Sequence, residues 1–170
     1  MNELAVTVIG ADRPGIIAEV AERLAALGMN LTDSTMTRLR GHFAMTLVCA
    51  GDPAAAEVEA ALGPLTADGS LTAAVRPVGP EQPTPGEGGH HILTVHGADR
   101  LGIVAAVARA VAAHGGNITD LTTRLAGSLY LLIAEVDLPG DAAALRANLA
   151  DVAGPLGVDV SLRAEDVDLL

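Results

Sequence analysis

The chain has 170 residues, half of them hydrophobic in type and 18% charged, with one Phe, one Tyr and no Trp, the composition of a globular protein rather than a disordered, fibrous or membrane-spanning one. All ten basic residues are Arg, and 21 acidic residues bring the net charge to −11, which excludes Schiff-base and phosphate-loop lysines and argues against direct contact with nucleic acid or anionic membranes. The single cysteine, Cys49, excludes an intrachain disulfide and a cysteine-rich zinc site, and the absence of a leader-like start or a long apolar run makes the cytoplasm the expected compartment.

In chain order, residues 4–9 are β-rich and end in Gly10. From Arg13, apolar residues at Ile16, Ile17, Val20, Leu24 and Leu27 recur at helical spacing until Gly28. Residues 31–39 and 43–49 read as two strands around a tight Arg40-Gly41 turn, with Phe43, Met45, Leu47 and Cys49 alternating onto one face. Asp52-Pro53 is expected to open an Ala-rich helix carrying Val58, Leu62 and Leu65, and residues 70–78 supply a fourth strand. The same order returns over 92–96, 101–114, 118–125, 129–136, 142–153 and 158–162. Each half reads βαββαβ.

The recurrence is a duplication. Residues 10–33 match residues 97–120 at a constant shift of 87, with 15 identities in 24. The match then continues one residue out of step, Arg38-Leu39 answering Arg124-Leu125 and Gly41 answering Gly127, which predicts a β-bulge in one copy. Residues 80–89 form a Pro/Gly-rich linker, so the expected organisation is a domain over 1–79, the linker, a domain over 90–164 and an acidic tail over 165–170. The order predicts an α+β fold, two ferredoxin-like domains, each an antiparallel four-stranded sheet with both helices on one face. The other sheet face, carrying Ala5, Thr7 and Ile9 in the first strand, is small and partly apolar, suited to a second sheet or a partner chain.

The best-matched segment is a loop rather than core: Gly10-Ala11-Asp12-Arg13-Pro14-Gly15 and its copy Gly97-Ala98-Asp99-Arg100-Leu101-Gly102. It delivers a helix N-terminus, whose unpaired NH groups and dipole favour an anion, and Gly15 and Gly102 leave that backbone open to approach. Asn30 and Asn117 follow the helix with donors and an acceptor. A carboxylate at the NH groups with an ammonium at Asp12 or Asn30 describes an amino-acid zwitterion. The same residues also suit other roles: Asp12 and Asp99 as helix N-caps, Pro14 as a first-turn proline, the glycines as close-packing residues, and the asparagines as turn residues bonding their own backbone.

The strand, then GADRPGI or GADRLGI, then a helix ending in G-x-N-[LI]-T-D resembles the ACT domain, a regulatory module of amino-acid metabolism, and the tandem arrangement is similar to that of glycine cleavage system transcriptional repressors. The resemblance implies sheets that pair within or between chains and a small amino-acid effector, with glycine a candidate, held between the first loop of one domain and its neighbour. It places Asp12, Arg13, Pro14, Gly15, Ile16 and Asn30 in a first candidate site and Asp99, Arg100, Leu101, Gly102, Ile103 and Asn117 in a second. Two departures stand out: Leu101 replaces the signature proline, and Gly10 and Gly97 stand where some serine-binding members have histidine. The implied protein is a non-enzymatic homodimeric regulator without cofactor or metal, acting through domain pairing or a protein partner. An interaction module with vestigial sites and a detached regulatory part of an enzyme are the alternatives. Of the histidines, His90 and His91 are expected in solvated loop and His96 in strand packing, while Cys49 is expected to be a buried small hydrophobe.

Overall fold

The computed structural model describes residues 1–79 and 89–165. The linker expected at 80–89 lies outside them except for Gly89, and the acidic tail except for Glu165. The chain divides into two compact units, Met1–Gln82 and Pro83–Leu170. The first contains β1 (Asn2–Ala11), α1 (Ile16–Ala26), β2 (Asn30–Leu39), β3 (His42–Gly51), α2 (Ala55–Thr66) and β4 (Leu71–Pro77). The second repeats it as β5 (Gly89–Ala98), α3 (Ile103–Ala113), β6 (Asn117–Ala126), β7 (Leu129–Leu138), α4 (Ala142–Leu156) and β8 (Val158–Ala164). The sheets run β2-β3-β1-β4 and β6-β7-β5-β8, every pair antiparallel, which is the ferredoxin-like order expected of two ACT domains.

Alternation decides which face the helices cover. Leu4, Val6 and Val8 of β1 and Phe43, Met45, Leu47 and Cys49 of β3 are buried against Ile16, Val20 and Leu24 of α1 and Val58, Leu62 and Leu65 of α2. Leu93, Val95, Leu132, Ala134 and Val136 do the same beneath α3 and α4. Apart from Phe43 the cores are filled by interlocking aliphatic side chains, each fully buried one contributing about 1.5–3 kcal/mol. Cys49 has no exposure and donates to the Leu4 carbonyl at 3.6 Å; burial pushes its thiol pKa up, so it packs as a small hydrophobe. The opposite sheet face is open, with Ile9 and Ile133 51% and 42% exposed.

Four local expectations change. The helix expected at Asp52-Pro53 begins at Ala55, where the Glu57 carboxylate accepts from the Ala54 NH at 2.8 Å and holds the first turn. His90 and His91 are strand residues of β5: His91 is buried, its Nδ1 2.8 Å from the Gly89 carbonyl, and His90 Nδ1 lies 2.5 Å from Asp137 Oδ1. The alternating rule applies to them from the first residue of the strand, because β5 extends three residues further towards the linker than its apolar run. His96 lies on the open face of the same strand, 3.6 Å from Asp159, rather than in the core.

The fourth concerns the expected bulge. Both copies carry one, at Thr32 between Leu31 and Asp33 and at Thr119 between Ile118 and Asp120. Each threonine hydroxyl donates to the facing strand, to Val48 at 3.3 Å and Glu135 at 3.5 Å. The bulges therefore cancel, and the two sheets stay in step at a shift of 87 right through the hairpins, with Leu39 opposite His42 and Ala126 opposite Leu129. What slips is the glycine within the turn. Arg40 and Gly41 both have positive φ, 50° and 83°, as a type I′ turn requires, whereas in Gly127-Ser128 only the first does, at 62°, the pattern of a II′ turn.

Candidate functional site

The first loop leaves β1 at Ala11 and enters α1 at Ile16. The Ala11 NH donates to the Ser70 carbonyl at 2.9 Å and the Asp12 NH to the Gly41 carbonyl at 3.0 Å, which pins the loop between the start of β4 and the β2–β3 turn. Gly15 immediately precedes the helix with φ 91°, and Gly102 precedes α3 with φ 92°. A Cβ at either would meet nothing closer than Glu19 Oε1 at 3.5 Å, so these glycines serve the left-handed backbone and not close helix-to-sheet packing. At Gly10 the reverse holds: a Cβ would collide with the Ser70 carbonyl oxygen, and at Gly97 it would lie 3.0 Å from the Cα of Val158. A side chain at Gly10 would force the neighbouring backbone to move, and one at Gly97 would be crowded by Val158.

The N-cap reading of the aspartates fails. The cap positions are Gly15 and Gly102, neither helix has a side-chain cap, and Pro14 and Leu101 precede the cap rather than entering the first turn. The Asp12 carboxylate instead accepts from Arg38 Nη1 at 3.2 Å. Arg13 forks onto Glu19, its two Nη atoms donating to the two carboxylate oxygens at 2.6 and 2.8 Å. Those bonds hold the Glu19 carboxyl below its usual range and raise the Arg13 guanidinium above its own.

The second loop differs in every one of these contacts. Position 106, answering Glu19, is alanine, so Arg100 has no carboxylate to fork onto. Arg124 stands opposite Leu131, on the sheet face away from the helices, whereas Arg38 stands opposite Phe43 on the helix face; Leu125 takes the place of Arg38. Among the described residues, the side chains of Asp99 and Arg100 make neither an ion pair nor a hydrogen bond, and Leu101 is fully exposed. Beside the first loop is a cavity of about 530 Å³ lined by Arg13, Gly15, Ile17, Met36 and Phe43; beside the second, one of about 300 Å³ lined by Asp99, Arg100, Gly102, Val104 and Tyr130. The loop motif does not point to Tyr130. The signal was available, since the chain's one tyrosine answers its one phenylalanine at the same shift of 87.

Asn30 and Asn117 open β2 and β6, opposite Ala50 and Asp137. Both are exposed and, among the described residues, neither carboxamide makes a protein hydrogen bond, so the backbone-satisfying reading does not hold. Nor do they join the loops. Asp12 follows Ala11, which pairs with His42, while Asn30 pairs with Ala50, eight residues along the same strand. At about 3.3 Å per residue the two lie roughly 26 Å apart along the sheet. The structure brings Asp12, Arg13, Pro14, Gly15 and Ile16 together, and likewise Asp99, Arg100, Leu101, Gly102 and Ile103, but leaves each asparagine at the far end of its own domain. Among the described residues there is no cluster of His, Cys, Asp and Glu suited to a metal ion, and no helix long and apolar enough to cross a membrane.

A βαββαβ unit repeated with its strand-to-helix loop defines a duplicated ferredoxin-like module. The ACT domain family matches residues 2–75 and again 90–163, and the chain belongs to that family. It is 38% identical over 79 residues to a UPF0237 protein of Methanopyrus kandleri and 33% identical over 79 residues to one of Methanocaldococcus jannaschii, in each case 45% of this chain and 88% of the relative. Those relatives have room for one copy only. Among solved structures, a protein of Galdieria sulphuraria described as unknown superposes with a TM-score of 0.82 at 27% identity, covering 96% of this chain and 98% of that one. A structure provisionally described as a glycine cleavage system transcriptional repressor gives a TM-score of 0.71 at 19% identity over 95% and 96%, a likeness of fold.

Proposed function

We propose that the chain is a regulator without catalytic activity of its own, which binds a small amino acid between ACT domains and signals through domain pairing or a protein partner. One observation carries the reading. The loop and the asparagine recur together in both copies, yet stand at opposite ends of each sheet, so a ligand of amino-acid size can use both only where the loop of one domain meets the asparagine end of another. A homodimer supplies such meetings, and the open sheet faces give the domains a surface to pair through. Glycine is the first effector to test, and transcriptional control of amino-acid metabolism the first process, because a fold neighbour carries that description. The net charges of −4 over residues 1–79 and −5 over residues 90–170 favour a protein intermediary over direct DNA contact, in the cytoplasm.

Thermal-shift measurements with glycine and the other nineteen amino acids at millimolar concentration test the reading. A true effector present at about 100 times its Kd adds about 2.7 kcal/mol to the stability of the domain that holds it. No shift with any amino acid would leave an interaction module with vestigial sites. Turnover of an amino acid, nucleotide or folate by the pure protein would make it part of an enzyme.

A further inference from the structure

The open face of the first sheet carries a charge pattern that its own two-fold image completes. One row across the four strands reads Asp33 on β2, Val48 on β3, Ala5 on β1 and Arg76 on β4, so a carboxylate and a guanidinium stand at opposite edges with two apolar residues between them. Both charged side chains are exposed and, among the described residues, neither makes an ion pair. The next two rows, from Thr35 to Ala74 and from Thr37 to Thr72, hold only Thr, Ala and Ile, and the Thr7 and Thr46 hydroxyls lie 3.4 Å apart at their centre. The second sheet interrupts this pattern. Glu135 and Asp137 stand on β7 where β3 has Val48 and Ala50.

We infer that this face is the docking surface for the same face of a second copy of the chain, the two sheets stacking about a two-fold axis that runs along the strands between β1 and β3. That operation lays β2 over the partner's β4 and β3 over the partner's β1. Asp33 then faces Arg76 of the partner subunit, an ion pair made twice per dimer, Val48 meets the partner's Ala5, and the Thr, Ala and Ile rows close the centre at the roughly 10 Å spacing of packed sheets. Four strands about 4.8 Å apart and about seven residues long present roughly 450 Å² each, about 900 Å² for two copies before side-chain relief is counted, close to the ~1,000 Å² at which specific contacts begin. The second domain's open face is a poorer occupant. It would set Glu135 on Ala5 and Asp137 beside Glu3, burying one carboxylate without a partner and placing two acids together. The axis stacks like ends of the sheets, so this contact is distinct from a meeting of loop and asparagine ends. It goes beyond the regulator reading and does not depend on it, since it concerns how first domains meet and not what the loops hold.

Sedimentation equilibrium of the full chain at micromolar concentrations tests the pairing, and a dimer is expected. Thr7→Arg drives an unpaired charge into the centre of the contact and should raise the dissociation constant at least about a hundredfold. Asp33→Arg or Arg76→Asp alone sets like charges together at two places and should raise it at least about tenfold. The two reversals combined restore opposite charges and should bring it back to within about threefold of the unaltered chain. All three positions are exposed on the protomer, so circular dichroism should show the variants folded, and the combined reversal reports on pairing even where Thr7→Arg fails to fold. An unaltered chain that is monomeric would overturn the inference, as would a folded Thr7→Arg chain that still dimerises. A combined reversal no better than the single ones would also overturn it and would name the second domain's face as occupant, since Arg163 and Asp120 at the edges of its corresponding row would then meet like charges. None of these outcomes touches amino-acid binding, which the thermal-shift measurements decide separately.

Discussion

The two hairpins, β2–β3 and β6–β7, share a sequence motif and differ in what it does. Both strands approach the turn through Arg-Leu-x-Gly, and aligning those letters sets the copies one residue out of step. The strands themselves stay in step, because cross-strand pairing and the burial of every second side chain fix register far more firmly than turn identity does. The glycine moves within the turn instead, second in Arg40-Gly41 and first in Gly127-Ser128. Identical letters displaced by one residue on a strand lie on opposite faces. Arg38 reaches Asp12, and Arg124 stands on the far side of the sheet. A duplicated motif has thus kept its spelling and lost its partner: Asp12 is paired with Arg38 in the first copy, and among the described residues Asp99 has no such arginine in the second.

What the copies hold in common is broken most severely in the core. Leu24 of α1 has no exposure and packs beneath the sheet that carries the first loop; Val111 of α3 is its counterpart, 1% exposed. Leu24→Ala is expected to cost about 2–5 kcal/mol, lost transfer energy plus a cavity. Val111→Ala should cost less, since it removes fewer atoms. Hydrogen exchange resolved by domain would show each loss in the domain that carries the substitution. Equal losses in both domains from either change would mean that the units do not have separate cores.

The turns come next in size. Gly41→Ala and Gly127→Ala place a Cβ at φ 83° and 62°, a left-handed backbone that costs an L-residue about 1–2 kcal/mol. Arg40 already bears that strain at φ 50°, so Arg40→Gly should be neutral or stabilising although it removes a side chain. Ser128 is not in that region, and Ser128→Gly should lower stability slightly by loosening the unfolded chain. Chemical denaturation of the four variants decides the matter, and a destabilising Arg40→Gly would remove the assignment of turn types.

This contrast marks where the sequence is legible. The strands, helices and covered faces follow from periodicity, because a buried face must repeat every two or three to four residues whatever the fold. The paired loops were legible from repetition, and the ferredoxin-like order from the sequence of elements. The ends were not. Asp12 carries every local mark of an N-cap, but the left-handed Gly15 resets the helix start by three residues and frees the carboxylate for Arg38. His90 and His91 border a Pro/Gly run and look like loop, but β5 continues through them, tied at His90 to Asp137 and at its carbonyl to the Glu165 NH at 2.8 Å. The asparagines sit beside the loop-bearing helix in sequence and far from the loop in space, because that helix returns the chain to the other end of the sheet. Each case depends on a partner distant in the chain, which local pattern does not contain.

The smallest effect separates the copies by pH. Glu19 is held below its usual range first by its hydrogen bonds to Arg13, and Asp68 below its own by bonds from Ser70; the second copy has Ala106 and Pro155 at these positions. A carboxyl whose folded pKa is depressed binds protons less readily than in the unfolded chain, so its contribution is present above the unfolded value, about 4.3 for Glu and 3.9 for Asp, and disappears as pH falls through the folded value. Both groups lie near water, where ion pairs are weak, so the effect is a difference in slope rather than loss of the fold. Acidification from about pH 6 to about pH 3 should therefore draw from the first domain a stabilisation that these two positions do not lend the second. Domain-resolved hydrogen exchange across that range, repeated with Glu19→Gln and Asp68→Asn together, measures it: the first domain's acid sensitivity should shrink and the second's stay where it was. An unchanged first-domain slope in the double variant would show that the Arg13 fork closes the loop without contributing to its stability.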